Sequence, residues 1–322
     1  MKKILFYLIC IVLLHSHLLA KQKVAVIGLW PLPPVIAFWS DLELIYIPKA
    51  SLTAMNNSLV SKYRPQYKQA RVGNSENLEE MLALNANLYI CPISNIKLCD
   101  GLKRANLNVI TLTTNINNHN SKDTLNHWLV ELGKYTDIAD KNKRLIDKIT
   151  RIEKQIHKKT KDAKKPKVLI VHRIDKDNVS SGLFGDYLIR HSGGDNPLGY
   201  RTNSKVSLEE VYRINPDIIY ISNFTPLMPN ELMNLKEWKN ISAVQKKRVY
   251  KFPLATYRPF APNLDLGELL LFLAKHNHPQ IFKDLDIKGA YKAHFSEFYD
   301  IKLTDNELDS ILNPSPKAGQ LD

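Results

Sequence analysis

Residues 137–161 read DIADKNKRLIDKITRIEKQIHKKTK. Ile138, Leu145, Ile149, Ile152 and Ile156 recur at steps of seven, four, three and four. That period sets a narrow apolar stripe on one face of an α-helix, with charged and polar side chains elsewhere. Neither Gly nor Pro interrupts it, and at 1.5 Å per residue it spans about 35–40 Å. Such a helix in mid-chain is expected as a strut between two lobes. The competing reading is an ordinary surface helix of one domain.

Outward from this helix, strands and helices alternate. Upstream, strands are predicted at 23–28 (KVAVIG), 44–47, 87–91 and 108–112, and helices at 34–39, 54–62, 79–84, 96–104 and 124–135, with a turn at 72–74. Downstream of Pro166, strands are predicted at 167–171, 218–222 and 248–252, with helices at 184–191, 207–214, 264–276, 287–298 and 304–312. This alternation on both sides implies two α/β lobes. Residues 79–88 (EEMLALNANL) also align with 209–218 (EEVYRINPDI). Each copy opens a helix with an acidic pair suited to its dipole and ends it with an Asn that tolerates the left-handed conformation. The same rules acting twice would produce this pattern without duplication, but the shared register across the strut favours a repeat.

The first twenty residues stand apart. Lys2 and Lys3 precede an apolar run over 4–14, and Ala20 precedes a polar change, the layout of a cleaved secretory signal peptide. Cys10 lies inside the apolar run, which argues against a lipoprotein. The exported remainder keeps two cysteines, Cys91 and Cys99, whose pairing the sequence leaves open. The chain of 322 residues carries a net charge of +13, concentrated between Lys141 and Lys167. That run lacks interleaved aromatics, so a solvated helix end and linker is a better reading than a nucleic-acid surface.

Enzyme motifs are missing. Gly28 is followed by Leu29-Trp30-Pro31, without the glycines a dinucleotide pyrophosphate needs. No phosphate loop, nucleophile elbow or HExxH zinc motif occurs, and Ser180-Ser181-Gly182 has no placed base. An exported α/β enzyme remains the alternative from another functional class.

Several pieces in order carry a resemblance: residues 182–186 (GLFGD) with 193–196 (GGDN), 207–209 through 215–217 (NPD), 238–244 (WKNISAV), 247–250 (KRVY) and 274–282 (AKHNHPQIF). Together they resemble the type III, helical-backbone periplasmic substrate-binding proteins of ABC importers for ferric siderophores, cobalamin, haem and related metal compounds. The resemblance implies two Rossmann-like α/β lobes joined by a single long backbone helix, with a ligand cleft between them. The expected division is signal peptide 1–20, amino-terminal lobe 21–136, backbone helix 137–162 and carboxyl-terminal lobe 163–322. It further implies a monomeric, non-catalytic periplasmic protein with no intrinsic cofactor. Its cargo would be an iron chelate, or else a nickel complex, cobalamin, haem or a molybdate or tungstate oxyanion. Its partner would be a permease dimer in the inner membrane, with a cytoplasmic ATPase. Glu79 and Glu209 match the positions at which each lobe presents a carboxylate to the permease.

Ligands of open α/β sheets collect beyond the carboxyl ends of strands. There this chain offers Trp30, Ser94 and Asn95, His119, His172 and Arg173, Phe224, and Tyr257-Arg258. Arg258 beside Tyr257 is the leading candidate, because a guanidinium binds carboxylates, catecholates or oxyanions in bidentate fashion. Either residue can instead serve packing. His119 and His172 are candidate metal ligands, since neutral imidazole suits nickel, copper or iron, although each alone is more readily explained as a core or solvated residue. Pro92-Ile93-Ser94-Asn95 follows the strand ending at Cys91, where siderophore binders often carry an Arg. That departure argues against a triply anionic tricatecholate.

Overall fold

The computed structural model describes residues 21–73, 77–175, 178–180, 183–200 and 205–320. The expected signal peptide, and the Ser181-Gly182 pair within the expected motifs, lie outside these residues.

The central helix runs over Ala139–Thr160, 22 residues or about 33 Å. Its stripe is buried at Leu145, Ile149, Ile152 and Ile156, each such side chain contributing about 1.5–3 kcal/mol. The stripe packs against helix Ser121–Leu132 and helix Leu266–Asn277. Gly267 permits the second contact, because a Cβ there would lie 2.8 Å from Ile152 Cδ1.

Before this helix lies a five-stranded parallel sheet, ordered β3-β2-β1-β4-β5. Its strands are β1 (Lys23–Val26), β2 (Glu43–Pro48), β3 (Arg71–Gly73), β4 (Leu88–Pro92) and β5 (Val109–Leu112). After the helix, β6 (Val168–Val171), β10 (Ile218–Ile221) and β11 (Val249–Lys251) form a separate parallel sheet, ordered β11-β10-β6. A small antiparallel sheet of β7 (Arg173–Asp175), β8 (Asn178–Ser180) and β9 (Lys205–Ser207) lies between β6 and β10 in sequence. Among the described residues, no strand pairing joins the sheets on the two sides of the helix. The fold is therefore two α/β lobes rather than one continuous sheet, and one apolar core runs from Val24 through the helix stripe to Ile311.

Two local expectations need correction. Residues 71–73 form the edge strand β3 instead of a turn, with Gly73 beneath the Tyr46 ring. A Cβ there would lie 2.4 Å from Tyr46 Oη, so this glycine serves close packing. The helix expected over 54–62 is divided into Lys49–Asn56 and Val60–Tyr63. Asn57 Nδ2 donates to Thr53 O at 2.8 Å and Ser58 Oγ reaches both Met55 O and Thr256 O, so local side-chain bonds compete with the helix ladder.

The internal repeat has matching geometry. Asn77 and Ser207 cap helices Leu78–Leu82 and Leu208–Ile214, accepting from Glu79 N and Glu210 N respectively. Asn85 (φ 51°) and Asn215 (φ 45°) are both left-handed, and β4 and β10 begin three residues later.

Polar groups anchor the helix to both lobes. Asn142 accepts from Trp39 Nε1 at 2.6 Å and donates to Leu129 O at 2.8 Å. Glu153 bonds Lys122 of the first lobe, and Tyr187 (2.7 Å) and His191 (3.1 Å) of the second. Burial raises the Glu153 pKa, but these hydrogen bonds outweigh it and hold the carboxyl at about 2.

Candidate ligand site

Segments leaving the carboxyl ends of the strands meet between the two parallel sheets. The 255–265 loop after β11 crosses toward the first lobe, where Ala255 O accepts from Leu59 N at 3.0 Å and Arg258 Nη1 donates to Ala50 O at 3.1 Å. Asp265 holds the loop by accepting from Thr256 N at 2.8 Å and Thr256 Oγ1 at 2.5 Å. Lys251 fastens the neighbouring 222–227 loop, donating to the carbonyls of Ser222, Thr225 and Leu227 at 3.0, 2.7 and 2.8 Å. Burial pushes this ammonium down to about pKa 7.

On this scaffold lies a seam of rings. His119, in the loop after β5, is 5.4 Å from Phe184 by ring centroids, and its Nδ1 is 3.0 Å from Tyr200 Oη. Phe184 is 6.2 Å from Phe260, which is 4.9 Å from His172. His172 lies 4.7 Å from Phe224, and the Arg258 guanidinium is 4.9 Å from the Phe224 ring. The seam crosses from lobe to lobe at His119 and brings together His119, His172, Phe224, Tyr257 and Arg258.

The electrostatics favour uncharged imidazoles. Burial, aided by the Arg258 charge, drives His172 down to about pKa 4, and burial lowers His119 as well. His172 Nδ1 is 3.0 Å from Ser222 Oγ, which orients the ring. Burial pushes the Tyr257 phenol up to about 12, with Arg258 opposing, and its hydroxyl has no hydrogen-bond partner among the described residues. Arg258 is completely buried, and besides Ala50 O it donates to Ala318 O at 2.9 Å and Gln320 O at 3.2 Å. Its fork thus holds the carboxyl-terminal segment against the first lobe, as well as bordering the seam. That segment seats tightly, since a Cβ on Gly319 would lie 2.0 Å from Thr225 O.

The other candidates make none of the ring contacts that define the seam. Trp30 is 42% exposed after β1, although its carbonyl accepts from Ser51 Oγ at 2.8 Å, one residue from Ala50. Asn95 is half-buried, and a disulfide between Cys91 and Cys99 (S–S 2.08 Å) closes the turn that carries it. Arg173 is exposed on β7. Glu79 and Glu209 are exposed at equivalent positions, two residues after their helix caps, while the adjacent Glu80 and Glu210 pair with Arg71 (2.5 Å) and Arg213 (3.4 Å). Glu209 is held below the ordinary carboxylate range by its own backbone amide and by Ser207.

Sequence reasoning missed Phe184, Phe260 and Tyr200. Two of them had a usable signal: Phe184 sits within the GLFGD motif and Phe260 within TYRPFAP. Among the described residues, no group of three or more His, Cys, Asp or Glu side chains is placed to hold a metal ion, and no helix is long and apolar enough to cross a membrane.

Two α/β lobes on a backbone helix, with a seam of side chains between them, define a two-lobed binding protein. The sequence matches the periplasmic binding protein family over residues 54–255, and the chain belongs to that family. Among relatives, the molybdate-binding protein MolA of Haemophilus influenzae is 25% identical over 249 residues, 70% of each chain. A periplasmic solute binding protein from Veillonella parvula superposes with a TM-score of 0.78 at 24% identity, covering 91% of this chain and 92% of that one. Helicobacter pylori CeuE, solved as its Ni-His complex, superposes with a TM-score of 0.70 at 21% identity, covering 91% and 94%.

Proposed function

We propose that this protein is the periplasmic solute-binding component of an ABC importer and that its cargo is a small metal chelate held at the aromatic seam. One observation carries the reading: His119 and His172 lie on the same ring seam, both shifted toward neutral imidazole, the form that ligates metal. Because the seam offers two such ligands among the described residues, a bound metal would arrive with the rest of its ligands supplied by an organic chelator. An iron chelate fits this arrangement, and so does a nickel complex of the kind named for CeuE. The flanking Phe184, Phe224 and Phe260 rings would cover the apolar parts of the chelator.

Molybdate is the second reading, supported by the likeness to MolA in sequence. The charged donor on the seam is the Arg258 guanidinium, which already binds three carbonyls, two of them from the carboxyl-terminal segment. An oxyanion would therefore have to displace those bonds or rely on neutral donors.

For delivery, Glu79 and Glu209 would meet the two halves of a permease dimer, one from each lobe. Exposed carboxylates of this kind chiefly set orientation and encounter rate. Native mass spectrometry with metal analysis of protein taken from its own periplasm tests the cargo. The expected result is iron or nickel together with an organic mass. Molybdenum or tungsten without an organic component overturns the chelate reading.

A further inference from the structure

The amino-terminal lobe carries a second concavity, at the amino ends of β1 and β2 and thus at the opposite end of the sheet from the aromatic seam. Its volume is about 570 Å³, within the usual range for small-molecule sites. Buried Phe38 and Trp39 contribute its aromatic wall, and Trp39 is fixed there by its bond to Asn142. Two half-buried cations enter from different elements. Lys141, on the first turn of the backbone helix, places Nζ 4.1 Å from the Trp39 ring centroid, and the Arg64 guanidinium lies 5.1 Å from the Phe38 centroid.

The cavity's own carboxylates, Asp41 and Glu43, are exposed, and neither pairs with these cations. Among the described residues neither cation makes an ion pair, and Arg64 donates only to the Tyr63 carbonyl, at 2.8 Å. Burial, followed by the Arg64 and Arg144 charges, lowers the Lys141 ammonium to about pKa 8, with Asp41 opposing. Two like charges converging on a partly dry aromatic cavity are stabilised by an anion placed between them. Asp41 and Glu43 are exposed at the mouth, so an extended polyanion would be repelled there while a compact monoanion passes.

We propose that this cavity is a second binding site, for a small organic carboxylate with a flat apolar body. The carboxylate would bridge Lys141 and Arg64, and the apolar body would lie along Phe38 and Trp39. The Phe38 and Trp39 rings also meet Tyr299 at 4.8 Å and Phe298 at 5.6 Å, on helix Ile287–Tyr299 of the second lobe. An occupant would therefore touch the joint among the first lobe, the backbone helix and the second lobe.

The test is titration of the mature chain with benzoate, read by NMR at the Trp39 indole Nε1–H, whose signal is assigned with Trp39→Phe. A saturable shift of that signal is expected, with affinity falling about tenfold in Lys141→Gln, the factor that 1.4 kcal/mol represents. Arg64→Gln should weaken binding by a similar factor, and Arg64→Lys by less. Thermal melts identify any variant that fails to fold, and the remaining one then decides. An unmoved Trp39 signal up to tens of millimolar benzoate overturns the proposal, as does equal affinity in wild type and folded variants.

Discussion

Replacing Glu153 by Gln removes the charge that links the backbone helix to both lobes while keeping the side-chain shape. The carboxyl is held at about 2 against an ordinary 4.5, a difference of about 3 kcal/mol at 1.36 kcal/mol per pKa unit. Its partners are partly wet, with the Lys122 side chain 19% exposed and that of His191 39%. Screening therefore reduces the effect to about 1–2 kcal/mol. With an unfolding entropy of about 2.1 cal/mol/K per residue over roughly 300 residues, Tm should fall by about 2–3 °C at pH 7. The sign of the pH dependence follows from the depressed pKa. The stabilisation is fully present above pH 4.5 and is lost as pH falls toward 2, because the folded state then gives up its advantage in binding the carboxylate form. Calorimetric melts of wild type and Glu153→Gln between pH 7 and pH 3 measure this directly. The gap should narrow steadily below pH 4.5. Equal melting temperatures at pH 7, or a gap independent of pH, would refute the assignment of Glu153 as a charged clasp.

Arg258→Ala should lower Tm by about 3 °C or more, since it strands the buried Ala318 carbonyl and removes the bonds to the part-buried carbonyls of Ala50 and Gln320, about 2 kcal/mol or more together; an unchanged melt would mean that those bonds are not formed in solution. His172→Ala should weaken cargo binding at least tenfold, measured by calorimetric titration with the co-purified chelate. Wild-type affinity should vary little between pH 7.5 and 5.5, because His172 stays neutral until about pH 4. An ordinary imidazole of pKa about 6.5 would cost about tenfold over that range. Reversing Glu79 and Glu209 to Lys together should abolish uptake while leaving cargo affinity and Tm unchanged, and uptake that survives the double change would remove them from docking.

Much of the fold was readable from local chemistry. The stripe from Leu145 to Ile156 named the backbone helix because a 3.6-residue period has one structural solution, and the Asn85 and Asn215 positions marked equivalent turns because few residues tolerate the left-handed region. The strands β7, β8 and β9, each three residues long, left no period to detect. Candidate site residues were recognisable by their place after strands, yet their roles were not. Trp30 and Arg258 were both cleft candidates by position, with Arg258 leading, but one is exposed and the other is wholly buried.

The alternation of strands and helices, the strut and the paired acidic helices are properties of neighbouring residues and so were legible along the chain. What Arg258 touches emerges from the folded chain, since Ala50 and Gln320 lie 208 and 62 residues away along the sequence. The fold likewise puts His119 and His172 on one seam, because their rings are joined through Phe184 and Phe260 and not through any local spacing. Side-chain partners and desolvation are set by three-dimensional packing, and they govern charge state and hence chemistry.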